Sequence, residues 1–133
     1  MAIHCGEIPE NQRASFAAKL FGARFIFVES FIFDTASSLS PDYDGGLWSF
    51  NGLCNGGFYM APQTDEPFDV RAENGFEGRL SPCAFGMTVC LYAFSHLSFG
   101  GDRLAEVCAE QYHLLREHML DHPEAHSILA AID

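Results

Sequence analysis

Two groups of residues in this 133-residue chain have types and spacings that could do chemistry. The first is Cys54, at the head of CNGGFYMAP (54–62), where an asparagine and two glycines lead into four apolar residues. A nucleophilic cysteine needs a base within hydrogen-bond reach and surroundings that lower its pKa. Histidines stand at 4, 96, 113, 118, 122 and 126, so partners exist in the chain. No cysteine-protease signature surrounds Cys54, however, and the charges near it are acidic, which disfavours a thiolate. The local chemistry favours a tight turn feeding a buried strand, with Cys54, Cys83, Cys90 and Cys108 as packing residues. The second group is His118, His122 and His126, four apart, the spacing that puts zinc ligands on one helical face. No HExxH occurs and Pro123 interrupts the run, so a solvated, titrating surface is the reading here, with no metal and no cofactor.

A third set concerns recognition. Asp42, Asp44, Asp65, Glu66, Asp69, Glu73 and Glu77 gather around Tyr43 and Trp48. They read either as a solvated face that keeps the protein in solution or as a negative surface that docks on a basic, DNA-handling partner. The candidate contact residues are Asp42, Tyr43, Asp44, Trp48, Glu66, Asp69 and Glu73. A phosphate mimic needs denser charge over a longer surface than this.

Overall charge supports recognition of protein over nucleic acid. Seven Lys and Arg face eighteen Asp and Glu, for a formal net charge of −11. Direct binding to DNA or RNA needs cations that displace counterions from phosphates, and this chain has the opposite sign. Apolar residues at 48%, with thirteen Phe, supply material for a folded core. Five cysteines, an odd count without a CxxC, suit free thiols in a reducing cytoplasm. The first residues, MAIHCGEIPE, lack the apolar core of a signal peptide, and no apolar run reaches the ~20 residues of a membrane span. The expectation is a soluble cytoplasmic protein, residues 1–133 forming one domain, with 1–12 loosely ordered.

The elements that must position these residues can be read from periodicity. A short helix follows Pro9 and ends at Gly22, and a longer one runs over about 23–39 with Phe25, Val28, Ile32 and Leu39 on one face. SPDYDGG (40–46) stops it. Alternation then predicts antiparallel strands at about 46–52, 57–62, 67–73 and 76–79. Asn55-Gly56 and Asn74-Gly75 are expected to form type I′ hairpins. Ser81-Pro82 opens a helix that is apolar almost all round from Phe85 to Phe94. Asp102 caps the next, with Leu104, Cys108, Leu115 and Met119 on one face, and Asp121 with Glu124 predicts a capping box for a closing helix to Ile132. The class is α+β: a small antiparallel sheet of three to four strands packed with about four to five helices.

Three stretches resemble a known family. YDGGLWSFNGLCNGGFYMAP (43–62), NGFEGRLSPCAFGMTVCLYAFSHLSF (74–99) and EQYHLLREHMLDHPEAHSILAAID (110–133) are similar, in order and spacing, to the ArdB/KlcA antirestriction family. The resemblance covers roughly residues 16 to 133. Cys54 replaces what is usually serine in that family, and Asn51-Gly52 stands where a more polar or aromatic pair is common. The resemblance implies a small cytoplasmic protein of plasmids and other mobile elements, relieving type I restriction of incoming DNA while largely sparing methylation. It supplies no catalytic residues. Its partner would be the type I restriction–modification complex or a host factor controlling it. A DNA-mimic inhibitor of nucleases and a small thiol hydrolase using Cys54 are the alternatives.

Overall fold

The order of elements follows from where the chain can and cannot bury an apolar face. The computed structural model describes residues 3–133. The centre is a helix, α3 (Pro82–Leu97), in which ten residues from Ala84 to Phe94 are buried. A helix apolar on every side can only be stable when covered on every side. It is covered by α2 (Phe25–Leu39), α4 (Arg103–Met119), α5 (Ala125–Ile132) and strand β3 (Phe58–Pro62). Ser81 caps its start, accepting a hydrogen bond from Ala84 N, and Pro82 follows in the first turn.

The closest approach is at Gly86. A Cβ there would lie 2.3 Å from the Met60 carbonyl oxygen and 2.6 Å from Ala61 Cα, so the helix rests directly on the β3 backbone. Cys90 extends the contact one turn on, its Sγ accepting from Met60 N at 3.3 Å.

The strands form two antiparallel sheets where one was expected. β1 (Cys5–Glu7), β2 (Trp48–Leu53) and β3 pair in that order, while β4 (Phe68–Arg71) and β5 (Glu77–Leu80) form a separate ribbon. Pro62 ends β3, and Gln63 to Pro67 carry the chain away before β4 begins. β1 escapes periodicity because it is only three residues long and exposed throughout. It pairs through Cys5 opposite Leu53 and Glu7 opposite Asn51.

The two Asn-Gly hairpins differ from expectation in type. Type I′ needs positive φ at both central residues. Among the described residues no non-glycine residue has positive φ, whereas Gly56 and Gly75 both sit at +94°. Gly56 N donates to Leu53 O, and Leu53 N to Gly57 O; Ala72, Gly75 and Phe76 repeat the pattern. Each is a type I turn closed by a glycine bulge, which needs left-handed backbone at the glycine alone. The asparagines serve instead as anchors: Asn55 Nδ2 donates to Leu114 O on α4, and Asn74 Nδ2 to Ala130 O on α5.

Helix α1 (Arg13–Phe21) ends at Gly22 with φ +69°, and Asp102 caps α4 by accepting from Ala105 N, both as periodicity predicts. The Asp121–Glu124 capping box does not form. α5 starts at Ala125, and the Glu124 carboxylate accepts from Ser81 N and Ser81 Oγ instead. A longer-range partner has displaced the local one, and the start of α3 is tied to the turn before α5.

Candidate functional site

The acidic residues singled out by sequence divide between two places. Asp42, Asp44 and Glu66 line one cleft of about 220 Å³, together with Gly45, Gly46, Leu47 and Phe68. The cleft lies where two breaks in regular structure meet. One is the segment after α2, and the other is the Gln63–Pro67 connection between the sheets. Gly45 and Gly46 have φ of +104° and +101°, backbone that L side chains rarely adopt. They bend the chain so that Leu47 projects into solvent, 76% exposed, while Trp48 turns inward.

Not every acid there is free to meet a partner. Asp42 Oδ2 accepts from Asp69 N at 2.8 Å, and Ser40 Oγ accepts from Asp42 N. This clips the loop to β4. Asp69 is in turn ion-paired, its Oδ1 2.9 Å from Arg79 Nε, and that hydrogen bond holds its carboxyl below the usual carboxylate range. Asp44 and Glu66 are exposed and carry no such partner in the cleft. Tyr43 is half-buried and packs edge-on to Trp48 at 5.7 Å. Trp48 is a correction to the expected contact set. At 4% exposure it is a core residue, wedged between Phe33, Tyr43 and Phe85. Large aromatic surface is worth most when removed from water, and here the core claims it.

Glu73 belongs elsewhere. It sits in the β4–β5 turn, past the end of β4 at Arg71, and is not among the residues lining the cleft. There its charge acts on Tyr92, whose hydroxyl donates to Ala131 O.

The thiols and histidines are also placed by structure. Cys54 Sγ accepts from the backbone N of His4 at 3.0 Å, on the exposed hairpin. Burial pushes the Cys90 thiol up to about 12 and the Cys108 thiol up to about 11, so both are protonated packing groups. His118 is on α4, its ring parallel to that of Tyr59, and burial holds it below the ordinary imidazole range against the opposing pull of the Ile3 backbone. His122 lies beyond the end of α4, its Nδ1 accepting from Glu124 N, and His126 is on α5. The end of α4 at Met119 thus parts His118 from His122, Pro123 parts His122 from His126, and among the described residues no group of three or more His, Cys, Asp or Glu could hold a metal ion.

Sequence reasoning missed Leu47, and the buried Gln111 on α4. Gln111 Nε2 donates to Gly56 O and, with Asn55, fastens the CNGG turn to the helix. The signal for Leu47 was the paired glycines before it, which read as a helix stop alone.

These features fit into a known set of proteins. Residues 41–133 match the family model described as antirestriction protein. The chain is 37% identical over 131 residues to YafX of Escherichia coli K12, an alignment spanning 95% of this chain and 85% of that protein. It is 35% identical to an Escherichia coli antirestriction protein KlcA, over 95% of this chain and 92% of the relative. A solved structure from work on the KlcA and ArdB proteins superposes with a TM-score of 0.91 at 32% identity, covering 100% of this chain and 96% of the other. That work describes KlcA and ArdB as a novel fold with antirestriction activity against Type I DNA restriction systems in vivo but not in vitro. With its signature hairpin, its two small sheets and its buried central helix all accounted for, this chain belongs to the antirestriction protein family.

Proposed function

We propose that this protein relieves type I restriction of incoming DNA in the cytoplasm, and that it does so by contacts with protein and without catalysis. The observation that carries the proposal is the match over the whole chain, at 32% identity, to a fold whose KlcA and ArdB members act against Type I systems in vivo. The loss of that activity in vitro supports a target that includes a cellular component, a host factor controlling the restriction complex, beyond the purified enzyme. A net charge of −11 fits a basic, DNA-handling partner better than DNA itself. Asp44 and Glu66 flanking the projecting Leu47 are the contact surface we assign: two anions around one apolar anchor, suited to a basic patch with an apolar pocket. Glu73, remote from the cleft, is not part of it.

The test is plating of unmodified phage on cells carrying a type I system, with and without the protein, beside a type II control and with methylation of survivors scored. Relief confined to type I with methylation intact supports the proposal. Absence of relief from folded, expressed protein overturns it. For the surface, Asp44→Asn with Glu66→Gln leaves the Asp42–Asp69 clip in place, so the fold persists. Full relief from that variant removes the cleft from consideration.

A further inference from the structure

Outside the cleft, three reactive groups from three elements converge. Cys5 Sγ on β1 lies 3.7 Å from the Tyr59 hydroxyl on β3, and Cys83 Sγ in the first turn of α3 lies 3.4 Å from the same oxygen. The two sulfurs are therefore no more than about 7 Å apart. The register explains the meeting: Glu7 pairs with Asn51 and Asn51 with Tyr59, so Cys5, two residues from Glu7, shares their face of the sheet. Cys54, one residue past Leu53, points to the other face and is turned towards His4 instead. Cys5 is exposed and Cys83 half-buried. The strand that carries Cys5 is a short, exposed edge, so it can shift by a few ångströms without opening the core.

We infer that Cys5 and Cys83 are a peroxide-oxidisable pair that closes a disulfide between β1 and α3. The Cys5 thiolate attacks one oxygen of hydrogen peroxide, the O–O bond breaks, and the departing hydroxide takes up a proton as water. The resulting Cys5 sulfenic acid is attacked by the Cys83 sulfur. Its S–O bond breaks, and a second water leaves with the Cys83 proton. Two thiols lose two electrons and two protons, and the peroxide is reduced to two waters. Tyr59 is the positioning residue, its hydroxyl in hydrogen-bond contact with both sulfurs, which holds both thiols beside it until the bond closes. Rotation of both cysteine side chains, with a small shift of β1, brings the sulfurs to bonding distance. The cross-link encloses most of the first two-thirds of the chain and pins the edge strand to the central helix.

The test uses the whole protein, freed of reductant and exposed to a small excess of hydrogen peroxide. Remaining thiols are alkylated, and the chain is digested without reduction using a protease that cuts after Phe85, which separates Cys83 from Cys90. The expected product is a Cys5–Cys83 linked peptide pair, a monomer lighter by two hydrogens, and a melting temperature several degrees higher that falls back with reductant. Cys5→Ser and Cys83→Ser each abolish the linked pair, and Cys54→Ser retains it. Should Cys83→Ser fail to fold, Cys5→Ser alone decides the matter, since its site is on the exposed edge. A Cys5–Cys54 link, a disulfide-linked dimer, or Cys5 driven to sulfinic acid beside a free Cys83 overturns the inference.

Discussion

Replacing Gly86 by alanine tests how closely α3 rests on β3. By helix propensity alone Gly86→Ala stabilises, by about 1 kcal/mol, because glycine is a poor residue in a helix interior. The structure predicts the reverse. The new methyl would stand 2.3 Å from the Met60 carbonyl oxygen and 2.6 Å from Ala61 Cα. Both obstacles are backbone, so no rotamer change relieves them, and helix and sheet must separate by about 1 Å to restore contact distance. Overpacking of this kind costs about 1–3 kcal/mol, and a clash with fixed backbone belongs at the upper end. Subtracting the propensity gain leaves a net loss of about 2 kcal/mol. For a domain of this length that lowers the melting temperature by roughly 6–8 °C. Separation also breaks the Met60–Cys90 contact, adding to the loss. Urea and thermal unfolding followed by circular dichroism read the effect. Gly6→Ala, where nothing lies within 4 Å of the new carbon, serves as the control and should be nearly neutral. A Gly86→Ala protein as stable as the parent would mean that propensity outweighs the clash, and would refute the close approach.

Other perturbations test other parts of the fold. Ser81→Ala removes the cap of α3 and leaves the Glu124 carboxylate only the backbone N–H of residue 81, so urea unfolding should show a loss of about 1–2 kcal/mol. Asp69 and Asp102 have carboxyls held below the ordinary value of 3.8, Asp69 chiefly by Arg79 and Asp102 chiefly by the Ala105 backbone N–H. Their contribution is therefore complete above about pH 4 and lost as pH falls through the depressed folded values; NMR titration of the two carboxyls checks it, and ordinary values would contradict the pairing. His118, lowered by burial, should stay neutral at pH 7 and protonate only below 6.5, so stability declines as pH falls from that point, and an NMR titration midpoint at or above 6.5 would show the ring to be solvated. Cys54→Ser should leave phage protection unchanged, as its sulfur only accepts from the His4 backbone; a lost phenotype in a folded variant would return catalysis to consideration.

Some of this protein could be read from residues alone, because local rules act over a few positions. The buried faces of α2 and α4, the Ser81 and Asp102 caps, and the breaks at Gly22 and Pro123 follow from spacing and side-chain chemistry within one or two helical turns. Family membership was legible in strings such as NGGFYMAP, since uncommon words repeated in order need no structure to be recognised. What sequence left open depended on partners far along the chain. Two sheets formed in place of one because the connection after Pro62 turns away, and β1 exists only because Leu53 to Asn51 offer it an edge. Glu124 left its expected cap for Ser81, 43 positions away. Trp48 looked like a recognition residue by composition and proved to be core, while Leu47 beside it was turned outward by the paired glycines. Sequence thus determined the helices, the four longer strands and which faces seek burial. Tertiary structure alone decided which acids share a cleft and which thiols meet at Tyr59, because those distances depend on how the segments pack, and packing sums contacts that no local window contains.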